Sequence, residues 1–302
     1  MNIIETHQLS RRFGRTEAVH DLDLAVPAGS VCALLGPNGA GKTTTIKLLM
    51  NLLEATGGES RVLGVESRRL GPAQLAQIGY VSENQQQPGW MTVRQLLDYC
   101  RPFYPSWDRD LERRLLEHFA LPEQRRLREL SRGMLMKAAL LSSLAYRPRL
   151  LVLDEPFSGL DALVREELVR GLLEVAAGED WTVLVSSHDI DEVERLCDRV
   201  AVLQQGRLRF NEPAEALLSR FRRVEVQGSA DTASPAAGWL EWARAGGLVS
   251  FVDPNYAGDA TERGWRERLP GATVTARPMS LREIFLTLAR TERTQEQKGV
   301  AA

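Results

Sequence analysis

A short run of residues near the start of the chain has the composition and spacing of a phosphate-binding loop. It reads GPNGAGKTT and fits the pattern G-x-x-x-x-G-K-[ST], in which glycines let backbone amides approach an anion. We expect Lys42 to reach the β- and γ-phosphate oxygens of a nucleotide and the Thr43 hydroxyl to bind Mg²⁺. A glycine-rich turn is the alternative, but the strand pattern before the run and the helical pattern after it favour a nucleotide site. The residues predicted to bind the nucleotide are Gly36, Pro37, Asn38, Gly39, Ala40, Gly41, Lys42, Thr43 and Thr44.

Two adjacent carboxylates follow a second apolar run, RLLVLDEP, at residues 149 to 156. Asp154, at the end of this predicted strand, is suited to hold Mg²⁺, and Glu155 is suited to orient or deprotonate the attacking water. An acidic pair at a strand end is otherwise a solvated turn. The glutamate favours a hydrolase over a small-molecule kinase, and the sequence has no N-K-x-D motif of the kind that reads guanine in GTPases.

A histidine follows a third apolar run, VLVSSHD, in which His188 comes directly after the predicted strand. At that point its side chain would be able to contact a γ-phosphate. Taken alone, a histidine at a strand end is more often structural. Beside the phosphate loop and the carboxylate pair, a catalytic role is the preferred interpretation.

The elements that must position these groups alternate between apolar runs and helical patterns. This alternation is typical of an α/β domain with a mainly parallel sheet. Strand patterns stop between about 84 and 145, where the sequence predicts an all-helical insert. The predicted buried strands are IGYVS (78 to 82), RLLVLD (149 to 154), TVLVSS (182 to 187) and RVAVLQ (199 to 204).

The composition changes beyond about residue 218. A turn-rich segment, GSADTASPAAG, is followed by the strand patterns GLVSFV and ATVTA and by a final helical pattern, LREIFLTLAR. We therefore predict a nucleotide-binding domain at 1–218 and a small α+β appendage at 219–302, with a disordered tail over the last ten residues.

Bulk composition is ordinary for a globular protein. The chain has 302 residues, 43% of them hydrophobic and 26% charged, with a formal net charge of -2, so no nucleic-acid partner is expected. Its three cysteines, Cys32, Cys100 and Cys197, are too widely spaced for a metal site or a disulfide framework, and we interpret them as buried thiols in a reducing cytosol.

The segment LSRGMLMK, at residues 130 to 137, admits two interpretations. Ser131 is a preferred helix N-cap, so the segment is consistent with a helix start alone. The same helix start, with the amide of Gly133, would also attract a phosphate. Arg132 and Met134 are larger than the small residues that such a contact favours.

The order of motifs, GPNGAGKTT, LSRGM, LLVLDEP, SGLD and SSHD, resembles that of the ATP-binding cassette family over residues 1 to about 218. The resemblance implies a P-loop NTPase core with a mainly parallel sheet, antiparallel edge strands and the helical insert. It further implies that the chain binds ATP and Mg²⁺ and hydrolyses ATP. In this family two subunits form a head-to-tail dimer, so Ser131 and Gly133 would contact the nucleotide held by a second copy or by a similar cassette.

The resemblance also implies a partner and a location. Family members of this kind power a separately encoded membrane permease, which would hold this chain at the cytoplasmic, inner face of the cell membrane. The ending PMSLREIFLTLAR resembles the tails of bacterial export-type cassettes, including multidrug and antibiotic exporters. An exporter subunit is therefore the expected function.

Two further residues, Glu83 and Phe13, occupy positions to which the family assigns a role, and each has an alternative interpretation. Glu83, in IGYVSEN, stands where the family usually has glutamine; it would bind Mg²⁺ or a water, or act only as a linker residue. Phe13, in SRRFG, stands where the family stacks an aromatic ring on adenine, although a core-packing role is the alternative.

Two other functions remain open on the sequence alone. One is a non-transport cassette acting on ribosomes or DNA, although such proteins usually carry two cassettes or long heptad arms. The other is a regulatory nucleotide-binding module that hydrolyses ATP weakly, which the unusual Arg132, Met134 and Glu83 keep under consideration.

Overall fold

The computed structural model describes residues 1–176, 181–228, 235–269 and 271–300. The chain divides into two compact units, Met1–Asn211 and Glu212–Ala302. The turn-rich segment 228–238 falls mostly outside the described residues.

A six-stranded sheet forms the centre of the first unit. Its strands are β4 (Val31–Leu35), β7 (Ile78–Ser82), β8 (Leu150–Asp154), β9 (Thr182–Ser187), β10 (Arg199–Gln204) and β11 (Arg207–Pro213). They lie in the order β11-β10-β4-β9-β8-β7, and every pair from β10 to β7 is parallel. Residues of β8 and β9 are buried throughout, because both faces of a parallel sheet are covered, and this explains their continuous apolar runs.

A second, antiparallel sheet lies beside the first in the same unit. Its strands are β1 (Asn2–Phe13), β2 (Thr16–Leu22), β3 (Ala25–Pro27), β5 (Gly57–Val62) and β6 (Val65–Glu66). The order is β2-β1-β5-β6, and β3 also pairs with β1. One core joins the two sheets, and Ile4, Leu34, Ile46 and Val152 are fully buried in it.

The helices of the first unit are α1 (Lys42–Leu49), α2 (Pro72–Leu75), α3 (Val93–Cys100), α4 (Arg109–His118), α5 (Arg132–Leu144) and α6 (Ala162–Ala176). Between β7 and β8 the chain forms α3, α4 and α5 and no named strand, which confirms the predicted all-helical insert. Side-chain caps begin these helices: Thr92 accepts from Gln95 N at α3, and Asp108 accepts from Leu111 N at α4. Within the described residues, no helix combines the length and the apolar character needed to cross a bilayer.

The second unit is a small α+β structure, as predicted. Its elements are α7 (Ala214–Arg220), β12 (Arg222–Gln227), β13 (Leu240–Ala245), β14 (Leu248–Asp253), α8 (Asp259–Arg268), β15 (Thr273–Pro278) and α9 (Leu281–Val300). The strands form one antiparallel sheet in the order β13-β14-β12-β15. Its core contains Phe251 and Trp265, and Trp265 donates from Nε1 to Asp253 at 2.9 Å.

The end of the chain differs from the sequence-based expectation. Helix α9 continues to Val300, through most of the segment for which a disordered tail was predicted. The segment TERTQEQK consists mainly of residues that tolerate or favour a helix, and it contains no proline. Residues 301 and 302 lie outside the described part of the chain.

The cysteines are all free thiols. Cys32 and Cys197 are buried, as predicted, whereas Cys100 is only partly buried. Burial raises the pKa of the Cys32 thiol and of the Cys197 thiol to about 12 in each case, so both are neutral and unreactive at physiological pH.

Candidate nucleotide-binding site

Four neighbouring parallel strands end at one edge of the central sheet, and each carries a predicted functional group at its end. The phosphate loop follows β4, His188 follows β9, Asp154 and Glu155 lie at the end of β8, and Glu83 follows β7. The register aligns these ends, since Asp154 is paired with Ser186 on one side and with Ser82 on the other. Ligands of open parallel sheets bind at this carboxyl edge.

The backbone of the phosphate loop requires glycine at two positions. Gly41 has φ +102, and a Cβ there would lie 2.3 Å from the carbonyl oxygen of Ala18. A Cβ at Gly36 would lie 2.1 Å from the carbonyl oxygen of Leu203. These contacts explain why the loop needs glycine at both ends, independently of any ligand.

Lys42 is buried at the first turn of α1, with 5% of its side chain exposed. Its Nζ donates to the carbonyl oxygen of Gly36 at 2.7 Å and to that of Pro37 at 3.2 Å. It also lies 3.0 Å from Oε1 of Glu155. The loop therefore holds a buried cation beside a carboxylate, in a position from which the cation can bind phosphate oxygens.

Thr43 and Asp154 meet directly, as the predicted metal site requires. The Thr43 hydroxyl donates to Oδ1 of Asp154 at 3.0 Å, and the Ser186 hydroxyl donates to the same oxygen at 2.8 Å. Burial raises the pKa of Asp154, while the bonds from Ser186 and Thr43 act in the opposite direction. A hydroxyl and a carboxylate are the hard oxygen ligands that Mg²⁺ prefers, so this pair fits the ion.

Glu155 lies between Lys42 and His188. Its Oε1 faces Lys42, and its Oε2 lies 2.9 Å from Nδ1 of His188. The hydrogen bond to Glu155 raises the pKa of His188, partly offset by desolvation. Glu155 has φ +52, and its amide donates to the Ser186 hydroxyl at 2.9 Å. Lys42 and His188 thus fix both oxygens of the carboxylate that was predicted to act on water.

Ser186 is a functional residue that the sequence interpretation missed. Its hydroxyl joins the two predicted carboxylate residues, because it donates to Asp154 and accepts from the amide of Glu155. The only sequence signal was a pair of serines ending an otherwise apolar strand, TVLVSS. Polar residues at the carboxyl end of a buried parallel strand are a recognisable sign of a binding edge.

A cavity of about 440 Å³ lies over the phosphate loop. Its lining includes the loop residues 38–44 together with Phe13, Glu83 and Glu155. Phe13 is 44% exposed rather than part of the core, and the guanidinium carbon of Arg11 lies 4.5 Å from its ring centroid. Arg11 therefore covers one face of the ring, and stacking of an adenine on the other face stays a prediction.

Ser131 caps helix α5, as one interpretation of LSRGMLMK predicted. Its hydroxyl accepts from the amide of Met134 at 3.3 Å. Gly133 is buried against α6, where an added Cβ would lie 2.7 Å from Cγ1 of Val164. Neither Ser131 nor Gly133 is among the described residues that line the cavity over the phosphate loop of their own chain.

The two charged residues that depart from the family pattern contact each other. Arg132 forms an ion pair with Glu83, and its guanidinium also lies against Gly159. The amide of Glu83 donates to the carbonyl oxygen of Asp154 at 3.0 Å, which places this loop beside the predicted metal site. The sequence analysis singled out both residues as unusual, and it did not predict that they contact each other.

Comparison with known proteins identifies the family. A model described as "ABC transporter" matches residues 19–158. The ABC transporter ATP-binding protein YtrB of Bacillus subtilis is 30% identical over 229 residues, which are 76% of this chain and 78% of that protein. This chain belongs to the ABC transporter ATP-binding family. It is an ATP-binding subunit of that family and an ATPase.

Other members extend the comparison. The sulfate/thiosulfate import ATP-binding protein CysA of Escherichia coli K12 is 33% identical over 72% of this chain and 64% of its own length. A solved structure titled as the ATP binding subunit of an ABC transporter has a TM-score of 0.64 and 28% identity, covering 71% of this chain and 91% of that one. The P-loop fold with a mainly parallel sheet is thereby confirmed.

Proposed function

We propose that this ABC subunit hydrolyses ATP as part of a head-to-tail dimer and thereby powers a separately encoded permease, in the direction of export. The observation that carries the catalytic part is the placement of Glu155 between Lys42 and His188, beside the contact of Thr43 with Asp154. These groups are the parts that phosphoryl transfer to water needs: a phosphate-binding cation, a metal site and a base.

Each residue has a distinct role in the proposed reaction. Lys42 and the loop amides bind the β- and γ-phosphates, and ATP must displace Glu155 from Lys42 as it enters. Thr43 and Asp154 would hold Mg²⁺, which would neutralise charge on the phosphates when it is bound. Glu155, freed from Lys42 and still bonded to His188, accepts a proton from the attacking water.

Two substitutions test these roles separately. Glu155→Gln keeps the shape of the side chain but cannot act as a base, so it should bind ATP and lose at least about a hundredfold in turnover. Lys42→Ala should weaken nucleotide binding itself, because the triphosphate loses its buried cation. The measurements are steady-state phosphate release and titration with a fluorescent ATP analogue.

Asp110→Asn is the matched control. Asp110 is an exposed carboxylate on α4, and it does not line the nucleotide cavity. It should behave as the wild type in both assays. Turnover of Glu155→Gln within about twofold of the wild type would refute the role of Glu155. Unchanged nucleotide affinity in Lys42→Ala would refute the role of Lys42.

The head-to-tail dimer is supported by the position of α5. Ser131 and Gly133 do not line the described cavity of their own chain, although Ser131 is exposed and both lie at the helix start. A second copy, or a similar cassette, would present its own nucleotide to this helix start.

The permease partner is supported by the exposed surface of the helical segment between β7 and β8. Trp90, Tyr99 and Phe103 are 67%, 58% and 62% exposed there, and large exposed aromatic side chains are typical of protein interfaces. The export direction rests on the sequence PMSLREIFLTLAR.

Co-expression with a membrane protein encoded by a neighbouring reading frame, where that frame predicts several membrane spans, tests the partnership. We expect the two to co-purify in detergent, and Trp90→Ser to reduce the recovered complex without changing nucleotide binding. Leu218→Ser, which changes an exposed apolar residue on α7, is the control. Equal recovery of the wild type and Trp90→Ser would exclude Trp90 from the interface.

A further inference from the structure

Glu83 lies at the wall between two cavities of the first unit. One is the nucleotide cavity, which it shares with Lys42 and Glu155. The other is a groove of about 380 Å³ between the loop after β7 and helix α5. Arg132 lines this groove with Glu83, so the ion pair lies on the groove side of the residue that the two cavities share.

The pair is accessible to water. The Arg132 side chain is 51% exposed and that of Glu83 is 28% exposed. Ion pairs with this degree of exposure contribute little to stability, because water and salt screen them. The Glu83 carboxylate can therefore exchange Arg132 for another cation without a large cost to the fold.

A competing cation site lies beside Glu83. The backbone amide of Glu83 donates a hydrogen bond to the carbonyl oxygen of Asp154 at 3.0 Å, and the preceding residue, Ser82, is paired with Asp154 in the sheet. Asp154 is also the carboxylate that contacts the Thr43 hydroxyl. Glu83 lines the same cavity as Thr43, so its carboxylate would offer a divalent cation bound there a negative charge and oxygen ligands. The same charge attracts the guanidinium of Arg132.

We propose that Arg132 is a positioning residue that competes with Mg²⁺ for the Glu83 carboxylate and so sets the Mg²⁺ concentration at which nucleotide binds. The inference rests on the proposed ATP site and concerns two charged residues, Arg132 and Glu83, at which this sequence departs from the family pattern. Bound Mg²⁺ would draw the Glu83 carboxylate away from Arg132, either directly or through a water. Without Mg²⁺, Arg132 holds Glu83 at the wall of the groove.

The test is a binding measurement and needs no turnover. A fluorescent ATP analogue is titrated with Mg²⁺ against the wild type, Arg132→Gln, Glu83→Gln and the double variant. Arg132→Gln should lower the half-saturating Mg²⁺ concentration by about threefold to fivefold, because Glu83 loses its competing partner. Glu83→Gln should raise it, because the metal loses an anionic ligand.

The variant that carries both Arg132→Gln and Glu83→Gln tests whether Arg132 changes the Mg²⁺ requirement through the Glu83 carboxylate. On the Glu83→Gln background, Arg132→Gln should cause no further shift, since its effect acts through the carboxylate. Arg132→Lys keeps the positive charge and should resemble the wild type. Arg113→Gln, which removes an exposed arginine paired with Asp110 on α4, is the matched control and should leave the titration unchanged.

The outcomes separate this inference from the function on which it rests. Coincident Mg²⁺ curves for the wild type and Arg132→Gln would overturn the competition, as would an equal shift on the Glu83→Gln background. A wild-type protein that binds the analogue with no dependence on Mg²⁺ would overturn the proposed metal site itself, and the competition with it.

Discussion

At the residue scale, the contact between His188 and Glu155 makes the stability of the site depend on pH. The hydrogen bond to Glu155 raises the pKa of His188 above 6.5, so the folded protein holds this proton more tightly than the unfolded chain does. The resulting stabilisation is fully present below pH 6.5 and is lost as the pH rises through the raised pKa. We therefore expect the Tm of the wild type to fall as the pH rises from 6.5 through the raised pKa of His188. The Tm of His188→Gln should fall less over the same pH range.

Thermal unfolding followed by circular dichroism between about pH 6 and pH 9 measures this difference. His7→Gln is the control, because His7 is an exposed histidine on β1, outside the site. Its pH profile should follow that of the wild type. Parallel profiles for the wild type and His188→Gln would show that the pair with Glu155 does not form in solution.

At the scale of elements, the close approach of α5 and α6 depends on one glycine. An added Cβ at Gly133 would lie 2.7 Å from Cγ1 of Val164, so Gly133→Ala requires Val164 or one of the two helices to shift. We expect a loss of about 1–3 kcal/mol in the free energy of unfolding, measured in urea. Val164→Ala removes the colliding methyl groups and should recover most of that loss in the double variant.

Gly264, within α8, provides the matched control for this substitution. No atom lies within 4 Å of a Cβ built at Gly264, so Gly264→Ala should be neutral or stabilising by up to about 1 kcal/mol. If Gly133→Ala were as stable as the wild type, the packing of α5 on α6 would not depend on this glycine.

At the scale of the whole molecule, the proposed dimer should depend on ATP. In the Glu155→Gln variant, bound ATP is not consumed, so the head-to-tail form should accumulate when ATP and Mg²⁺ are both present. We expect light scattering to report a doubled mass under these conditions and a monomer without nucleotide. The variant Glu155→Gln with Lys42→Ala should stay monomeric, because the nucleotide no longer binds. A mass that stays monomeric in the trapped variant, even with its permease and any cognate cassette present, would contradict the dimer.

The local sequence was sufficient to predict the position of those parts of the site that lie within one turn or at one strand end. The strands Ile78–Ser82, Thr182–Ser187 and Arg199–Gln204 have the bounds that their apolar runs predicted. Such runs are distinctive because a strand buried on both faces has no polar positions. In contrast, no local signal singled out the long β1 (Asn2–Phe13), in which polar and apolar residues do not alternate regularly.

The placement of the phosphate loop before a helix, and of Asp154, Glu155 and His188 at strand ends, was therefore determined by the sequence alone, because each motif carries its own strand or helix boundary. Their chemical roles stay predictions. Their mutual contacts were decided by the strand order, which brings separate segments to one edge of the sheet. The pair of Arg132 with Glu83 joins residues 49 positions apart. Only the tertiary structure determines that contact, because no local pattern encodes which distant side chain a charged group will meet.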